Sequence, residues 1–241
     1  MERDLASCAR GFVALCCLSL FAVGLSGCTV AQEELRYRVT VVVDTPSGPV
    51  SGSSVIETII SQEAEILPSA NYANDHLKGE AVAVDLPNGQ VLFALLLPEG
   101  GSDPAGYHSM LMQNAVMRDP ELNAQYNVRD NSDWKTFRPA ARELGLTVTL
   151  ARSDYPMLVT FSDLDDPTAL ELINPENLAA SFGEGVSLKR ITVAVTDDAV
   201  TTGIGQRLGW LGKPFKRELT TDDFPSGFPV GDLDGLFTKG S

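Results

Sequence analysis

The side chains in this 241-residue sequence with chemistry to offer are few: two histidines, four cysteines and several short acidic clusters. The histidines occur as Asp75-His76 and His108-Ser109. Neighbours in sequence seldom point at one another, and a nucleophilic triad is defined by geometry that spacing does not supply. With no Gly-x-Ser-x-Gly elbow in the chain, both imidazoles are expected in polar surface loops. The acidic clusters are Asp163-Leu164-Asp165-Asp166, Asp197-Asp198, Asp222-Asp223 and Asp232-Leu233-Asp234-Gly235. Calcium requires about six to eight oxygens at tuned positions, and the Asp232 fragment has no downstream Glu to complete an EF-hand loop. Turns and caps are the expected roles, and no metal ligand is assigned. Gly203-Ile204-Gly205 is followed by Gly209 out of register with a dinucleotide fingerprint, so no phosphate cradle is expected. Paired acids for glycoside cleavage leave no local motif, and no catalytic residue is assigned.

Cys28 has the most specific surroundings. Arg3 and Arg10 flank a mixed-charge head, Phe12–Gly24 is apolar and Leu25-Ser26-Gly27 follow, the layout of a secretory signal peptide. A membrane span needs about 20 apolar residues, more than this run supplies with Ser19 and Gly24 interrupting it. Leu25-Ser26-Gly27-Cys28 resembles the lipobox of bacterial lipoproteins. That resemblance implies cleavage between Gly27 and Cys28, a diacylglyceryl group on the Cys28 sulfur and a further acyl chain on its amino group. It also implies a protein of the cell envelope, lipid-anchored to the outer membrane and facing the periplasm, because Thr29 rather than Asp follows the cysteine. A buried methylene contributes ~0.8 kcal/mol, so one chain holds marginally whereas two or more hold stably.

Cys8, Cys16 and Cys17 leave with the signal and Cys28 is acylated, so neither a disulfide nor a thiolate metal site is expected in the body. Stability must then come from hydrophobic burial. The formal charge of −14 repels nucleic acid and anionic headgroups, which removes nucleic acid as a partner. The partners expected are the membrane, through lipidated Cys28, and an envelope protein or small ligand; no cofactor is expected.

The elements that must carry these residues read mainly as hairpins. Leu35, Tyr37, Val39, Val41 and Val43 alternate with Arg36, Arg38 and Thr40, the period of a half-buried strand, and a partner strand is predicted through Ser53–Ile60. Glu63–Lys78 predicts a loop or short irregular strand. Ala81–Asp85 and Gln90–Leu97, joined by Leu86-Pro87-Asn88-Gly89, form the most apolar pair, with Asn-Gly the hairpin signal. Val91–Leu97 is apolar on both faces, which predicts burial on both sides. Val43-Asp44-Thr45-Pro46-Ser47-Gly48 and Val84-Asp85-Leu86-Pro87-Asn88-Gly89 share Val-Asp-x-Pro-x-Gly; common turn chemistry accounts for this, with duplication the alternative.

Ala105–Arg118 and Trp134–Leu144 carry apolar residues at helical spacing, with Asp119-Pro120 breaking the first and Pro139 marking a kink or boundary. The stripe of Met110, Met112 and Met117 is expected as ordinary core rather than a ligand face. Strands resume at Thr147–Ala151, Met157–Phe161 and Val186–Thr196, the last with a slip at Lys189-Arg190 that hints at a bulge. Short helices are expected near Asn174–Phe182 and Thr202–Leu211.

These elements predict an α+β fold: predominantly antiparallel β hairpins, sandwich-like or in a single curved sheet, with a helical insertion and short peripheral helices. The expected organisation is a signal peptide over 1–27, a tether over 28–34, a single domain over 35–211 with its insertion at about 100–145, and an extended or disordered tail over 212–241. The mature body also resembles exported bacterial proteins of unknown function, which transfers no active-site residue. The function expected is non-catalytic binding or structure; a carboxylate-based periplasmic hydrolase and a calcium-dependent binding module are the alternatives.

Overall fold

A computed structural model describes residues 31–62, 73–215 and 217–240. Gly27 and Cys28, the expected cleavage point and acylated thiol, lie outside the described residues, as do the rest of the signal and residues 63–72. The chain divides into two units, 1–31 with 62–72, of which only Ala31 and Gln62 are described, and 32–61 with 73–241.

The second unit is α+β, built on two antiparallel sheets. Strand β1 (Ala31–Asp44) buries Leu35, Tyr37, Val39, Val41 and Val43. It lies between β2 (Val50–Gln62) and β9 (Ser187–Val195) in a six-stranded sheet completed by β3 (Ala73–Glu80), β6 (Thr147–Thr149) and β10 (Thr238–Lys239), in the order β10-β3-β2-β1-β9-β6. The second sheet has the order β4-β5-β7-β8, formed by β4 (Val82–Asp85), β5 (Val91–Pro98), β7 (Pro156–Phe161) and β8 (Leu170–Leu172). The chain changes sheet at Ala81, whose N–H donates to the Phe237 carbonyl at 2.8 Å. A strand that switches sheets makes a corner of a sandwich.

Strand β5 is buried on both faces. Leu92, Ala94 and Leu96 join one apolar cluster, with β1 and the first helix, while Val91, Phe93, Leu95 and Leu97 join a second. Its hairpin turn closes through Gly89 N–H to the Leu86 carbonyl at 3.0 Å. Gly89 alone takes a positive φ there (86°) and Asn88 does not, so the turn is Pro-led with a left-handed glycine after it rather than an Asn-Gly pair of left-handed residues.

Helix α1 (Pro104–Arg118) packs against β3 and β6 of one sheet and β5 of the other. Leu111, Met112, Ala115 and Val116 are buried, whereas Met110 and Met117 are half-buried. Asp119 separates it from α2 (Pro120–Tyr126), which it caps by accepting from Glu121 and Leu122 N–H at 3.0 and 3.1 Å. Helix α3 (Trp134–Glu143) runs through Pro139 and buries Trp134, Phe137, Arg138 and Ala141. Leu144, expected on that buried face, is 54% exposed at the helix end. A four-residue helix, α4 (Ala179–Phe182), ends at Gly183, whose φ is 101°. Strand β9 carries the bulge its sequence hinted at: Val42 pairs with Arg190 and Val43 with Leu188, leaving Lys189 as the extra residue.

Four expectations are corrected. Ala31–Glu34 is strand, not tether, because Arg138 and Arg142 bind its backbone. Residues 73–78, expected as loop or irregular strand, belong to β3. The helix expected over Thr202–Leu211 reduces to a 3-10 turn at Ile204–Gln206, with Gly203 at φ 124°; its glycines weaken a helix, and Ile204, Leu208 and Trp210 bury without one. The tail expected to be extended or disordered is folded over its described residues 212–215 and 217–240, ending in α5 (Leu233–Phe237) and β10. Phe224, Phe228, Leu233, Leu236 and Phe237 are all buried in the cluster that contains Phe93 and Phe161. The apolar outer face of the second sheet has to be covered, and widely spaced phenylalanines cover it without regular structure.

Candidate functional site

Five elements send polar side chains into the core at one place. Tyr37 comes from β1, Thr58 from β2, Asp75 from β3, His108 and Ser109 from α1 and Arg138 from α3. Arg138 is 1% exposed. Its Nη1 donates to the carbonyls of Glu33 and Thr58, and its Nη2 to Thr58 Oγ1 and the Ser109 carbonyl, each at 3.0 Å. Burial pushes its guanidinium down to about 10, which leaves it charged at neutral pH. Burial raises the Asp75 carboxyl above the usual range, against the pull of Ser109 and Arg138.

His108, expected on the surface, is buried within helix α1 at 3% exposure. Tyr37 Oη lies 2.8 Å from His108 Nδ1 and 2.9 Å from the His108 carbonyl. One hydroxyl has one proton, so both contacts are satisfied together when Nδ1–H donates to the phenol oxygen and the phenol donates to the carbonyl. The Tyr107 ring packs edge-on at 4.8 Å. Burial raises the Tyr37 phenol far above its ordinary range and pushes His108 down to about 3, with the Leu96 backbone opposing. His108 is therefore neutral at physiological pH.

The structure thus brings Asp75, His108 and Ser109 into one cluster but does not assemble a triad from them. The imidazole is bonded to Tyr37 from the opposite strand, and His76 lies exposed on β3. The arrangement ties two helices to three strands and offers a substrate no approach to the imidazole. The sequence carried one legible trace of it. Arg138 falls on the apolar stripe of Trp134, Phe137 and Ala141, and a charge on a buried face needs partners.

Other carboxylates are likewise engaged within the protein. Glu57, 5% exposed, accepts from Arg36 Nε at 2.7 Å and pairs with Lys78 at 3.1 Å. Burial opposes its ionisation, but the bonds from Lys78 and Arg36 outweigh that and hold it below the usual range. Glu80, 6% exposed, accepts the N–H groups of Gly203 and Ile204 at 3.0 and 2.8 Å. In the acidic clusters, Asp166 accepts from Thr168, Asp198 from Arg38 and Thr196, Asp223 from Arg217 and Thr220, and Asp232 from Lys239 and Gly235. Among the described residues no three His, Cys, Asp or Glu side chains converge as metal ligands.

Of the concave surfaces among the described residues, which include one of about 540 Å³ beside Arg118 and Asp154 and one of about 420 Å³ beside Arg217 and Asp234, two bear on binding. A cleft of about 650 Å³ runs beside the edge strand β8, lined by Glu99, Arg152, Leu172, Asn174, Glu176 and Ser226 among others. Arg152 reaches Glu99 at 3.6 Å, and Leu172 is 37% exposed. The cleft therefore offers two carboxylates, one cation and an apolar spot to a ligand. The second surface joins the two matching turns. Pro46, Ser47, Pro87, Asn88, Phe182 and Glu184 help to line a groove of about 310 Å³. Asn88 Nδ2 donates to the Phe182 carbonyl at 3.2 Å, and a Cβ on Gly185 would meet the Pro46 ring at 2.9 Å. The repeated turn motif, read in the sequence as local chemistry, also has a tertiary consequence.

Among the described residues no helix is long and apolar enough to cross a membrane. Comparison of the chain with protein-family models, with curated proteins and with solved structures finds no match.

Proposed function

We propose that this chain is an envelope lipoprotein, held to a membrane through acylated Cys28, whose β-rich body binds a partner or small ligand rather than turning over a substrate. The observation that carries the proposal is Leu25-Ser26-Gly27-Cys28 at the end of a charged-then-apolar leader. Among the described residues the apolar core begins at Leu35, seven residues beyond the proposed anchor. Binding is favoured over turnover because the buried imidazole is neutral and bonded to Tyr37. The cleft and the twin-turn groove are the surfaces where binding would occur.

The test is metabolic labelling with a clickable fatty acid, followed by mass spectrometry of the amino-terminal peptide. Label should appear on Cys28 and vanish in Cys28→Ala; label retained in that variant, or a free amino terminus at another residue, overturns the proposal. A second reading, a carboxylate-based hydrolase, draws on Glu99 and Glu176 lining one cleft. Turnover in a glycosidase screen that disappears in Glu176→Gln would establish that reading instead.

A further inference from the structure

We infer that the lipid surface meets the end of the six-stranded sheet where β1 begins, and that the twin-turn groove is presented at the far, aqueous end. This inference rests on Cys28 being the acylated residue. Only Thr29 and Val30 separate Cys28 from Ala31, and even a fully extended chain of three residues spans at most about 11 Å. The start of β1 therefore cannot leave the headgroup region.

That start is fixed to the body rather than free to swing. Arg138 Nη1 holds the Glu33 carbonyl at 3.0 Å, and Arg142 pairs with the Glu33 carboxylate at 2.6 Å and donates to the Glu34 carbonyl. The last turn of α3 consequently travels with the anchored end. Leu144, immediately beyond it, is the most exposed large hydrophobic among the described residues, at 54%. The Arg142–Glu33 pair cancels one of the negative charges at this end of the body.

Strand β1 then runs 14 residues to Asp44, which at ~3.3 Å per residue places its far end roughly 43 Å from its start. Asp44 leads directly into Thr45-Pro46-Ser47-Gly48, and Asp44 pairs with Ser187 just after the groove residues Glu184 and Val186. The length of β1 thus sets the greatest stand-off between anchor and groove. A partner that uses the groove must come from the aqueous side.

The experiment uses the full chain, processed in a bacterium and reconstituted in phosphatidylcholine vesicles with acceptor-labelled headgroups. Leu144→Cys and Ser47→Cys, both at exposed positions, each carry a donor dye. Energy transfer to the headgroups should be severalfold stronger from position 144 than from position 47. Glu143→Cys and Glu184→Cys, also exposed, repeat the comparison should either first variant fold poorly. Equal or reversed transfer, with the lipid mass present on Cys28, overturns the orientation and leaves the anchor standing. Absence of the lipid mass overturns the anchor and this inference with it.

Discussion

Lowering the pH from 7 to 5 should destabilise the body chiefly through one side chain, His108. Burial holds this imidazole at about 3, against an ordinary value of 6.5. The sign follows from proton uptake. Below 6.5 the unfolded chain binds a proton that the folded chain refuses until about 3, so the stabilisation is complete above 6.5 and is lost as pH falls. Integrated from pH 7 to pH 5, one such group removes about 2 kcal/mol. Carboxylates held below their usual range, Glu57 among them, lose their contribution only nearer pH 4, and the raised Asp75 carboxyl acts with the opposite sign in both proteins, so the comparison with His108→Gln isolates the imidazole. The assay is urea unfolding of secreted Cys28→Ala protein at pH 7, 6 and 5, followed by the fluorescence of the buried Trp134 and Trp210. His108→Gln is less stable at every pH but removes most of the slope between pH 7 and 5. An unchanged slope in His108→Gln would refute the claim that this residue is buried neutral.

Three further perturbations probe contacts between distant parts of the chain. Glu80→Ala leaves the Gly203 and Ile204 amides without their acceptor, at about 1–3 kcal/mol for each buried donor left unpaired; calorimetry should show a lower Tm, and a Tm unchanged within a degree would count against the bonds. Gly52→Ala places a Cβ 1.9 Å from the Ala83 carbonyl oxygen, a backbone clash that no side-chain rotation relieves, so this variant is expected to unfold or express as aggregate while Gly205→Ala, with open space around it, does not. Phe237→Ala empties a site packed against Phe93, Phe161 and Trp210 and should cost about 3–5 kcal/mol by chemical denaturation; a cost below 1 kcal/mol would mean that the carboxyl-terminal segment is not part of the fold.

What the sequence disclosed and what it hid divide along the distance over which each residue finds its partners. The alternation of β1 and the two-sided apolarity of β5 are local patterns, and the structure uses both. The proposed lipobox is also local, since the machinery it implies would read a linear segment. His108 was misplaced because its determining partner, Tyr37, lies 71 residues away, and nothing in His108-Ser109 announces a phenol from another element. The fold that the carboxyl-terminal phenylalanines build is hidden for the same reason. Their spacing fits neither period two nor 3.6, since they pack as single plugs on a sheet face whose apolar residues belong to β5 and β7.

The same distinction bears on where binding is to be sought. A hydrophobic pattern records the faces that are buried, whereas the twin-turn groove arises because two turns about 40 residues apart in sequence close beside the loop that follows Phe182. Each turn alone is explained by its proline and its left-handed glycine. Neither explains why Asn88 should reach the Phe182 carbonyl, or why Gly185 should be pressed against Pro46. Those contacts hold three separate connections in one arrangement at the end of β1, and a rigid rim lowers the ordering cost of binding. The cleft beside β8 lacks that feature: its acid–base pair, Glu99 and Arg152, spans 3.6 Å between side chains that are 77% and 46% exposed, and exposed pairs of that kind fix little. On this argument the groove, not the larger cleft, is where a replacement such as Pro87→Asp should first weaken capture of a binding partner from intact envelopes, with acylation unaffected; undiminished capture by that variant would move the search to the cleft.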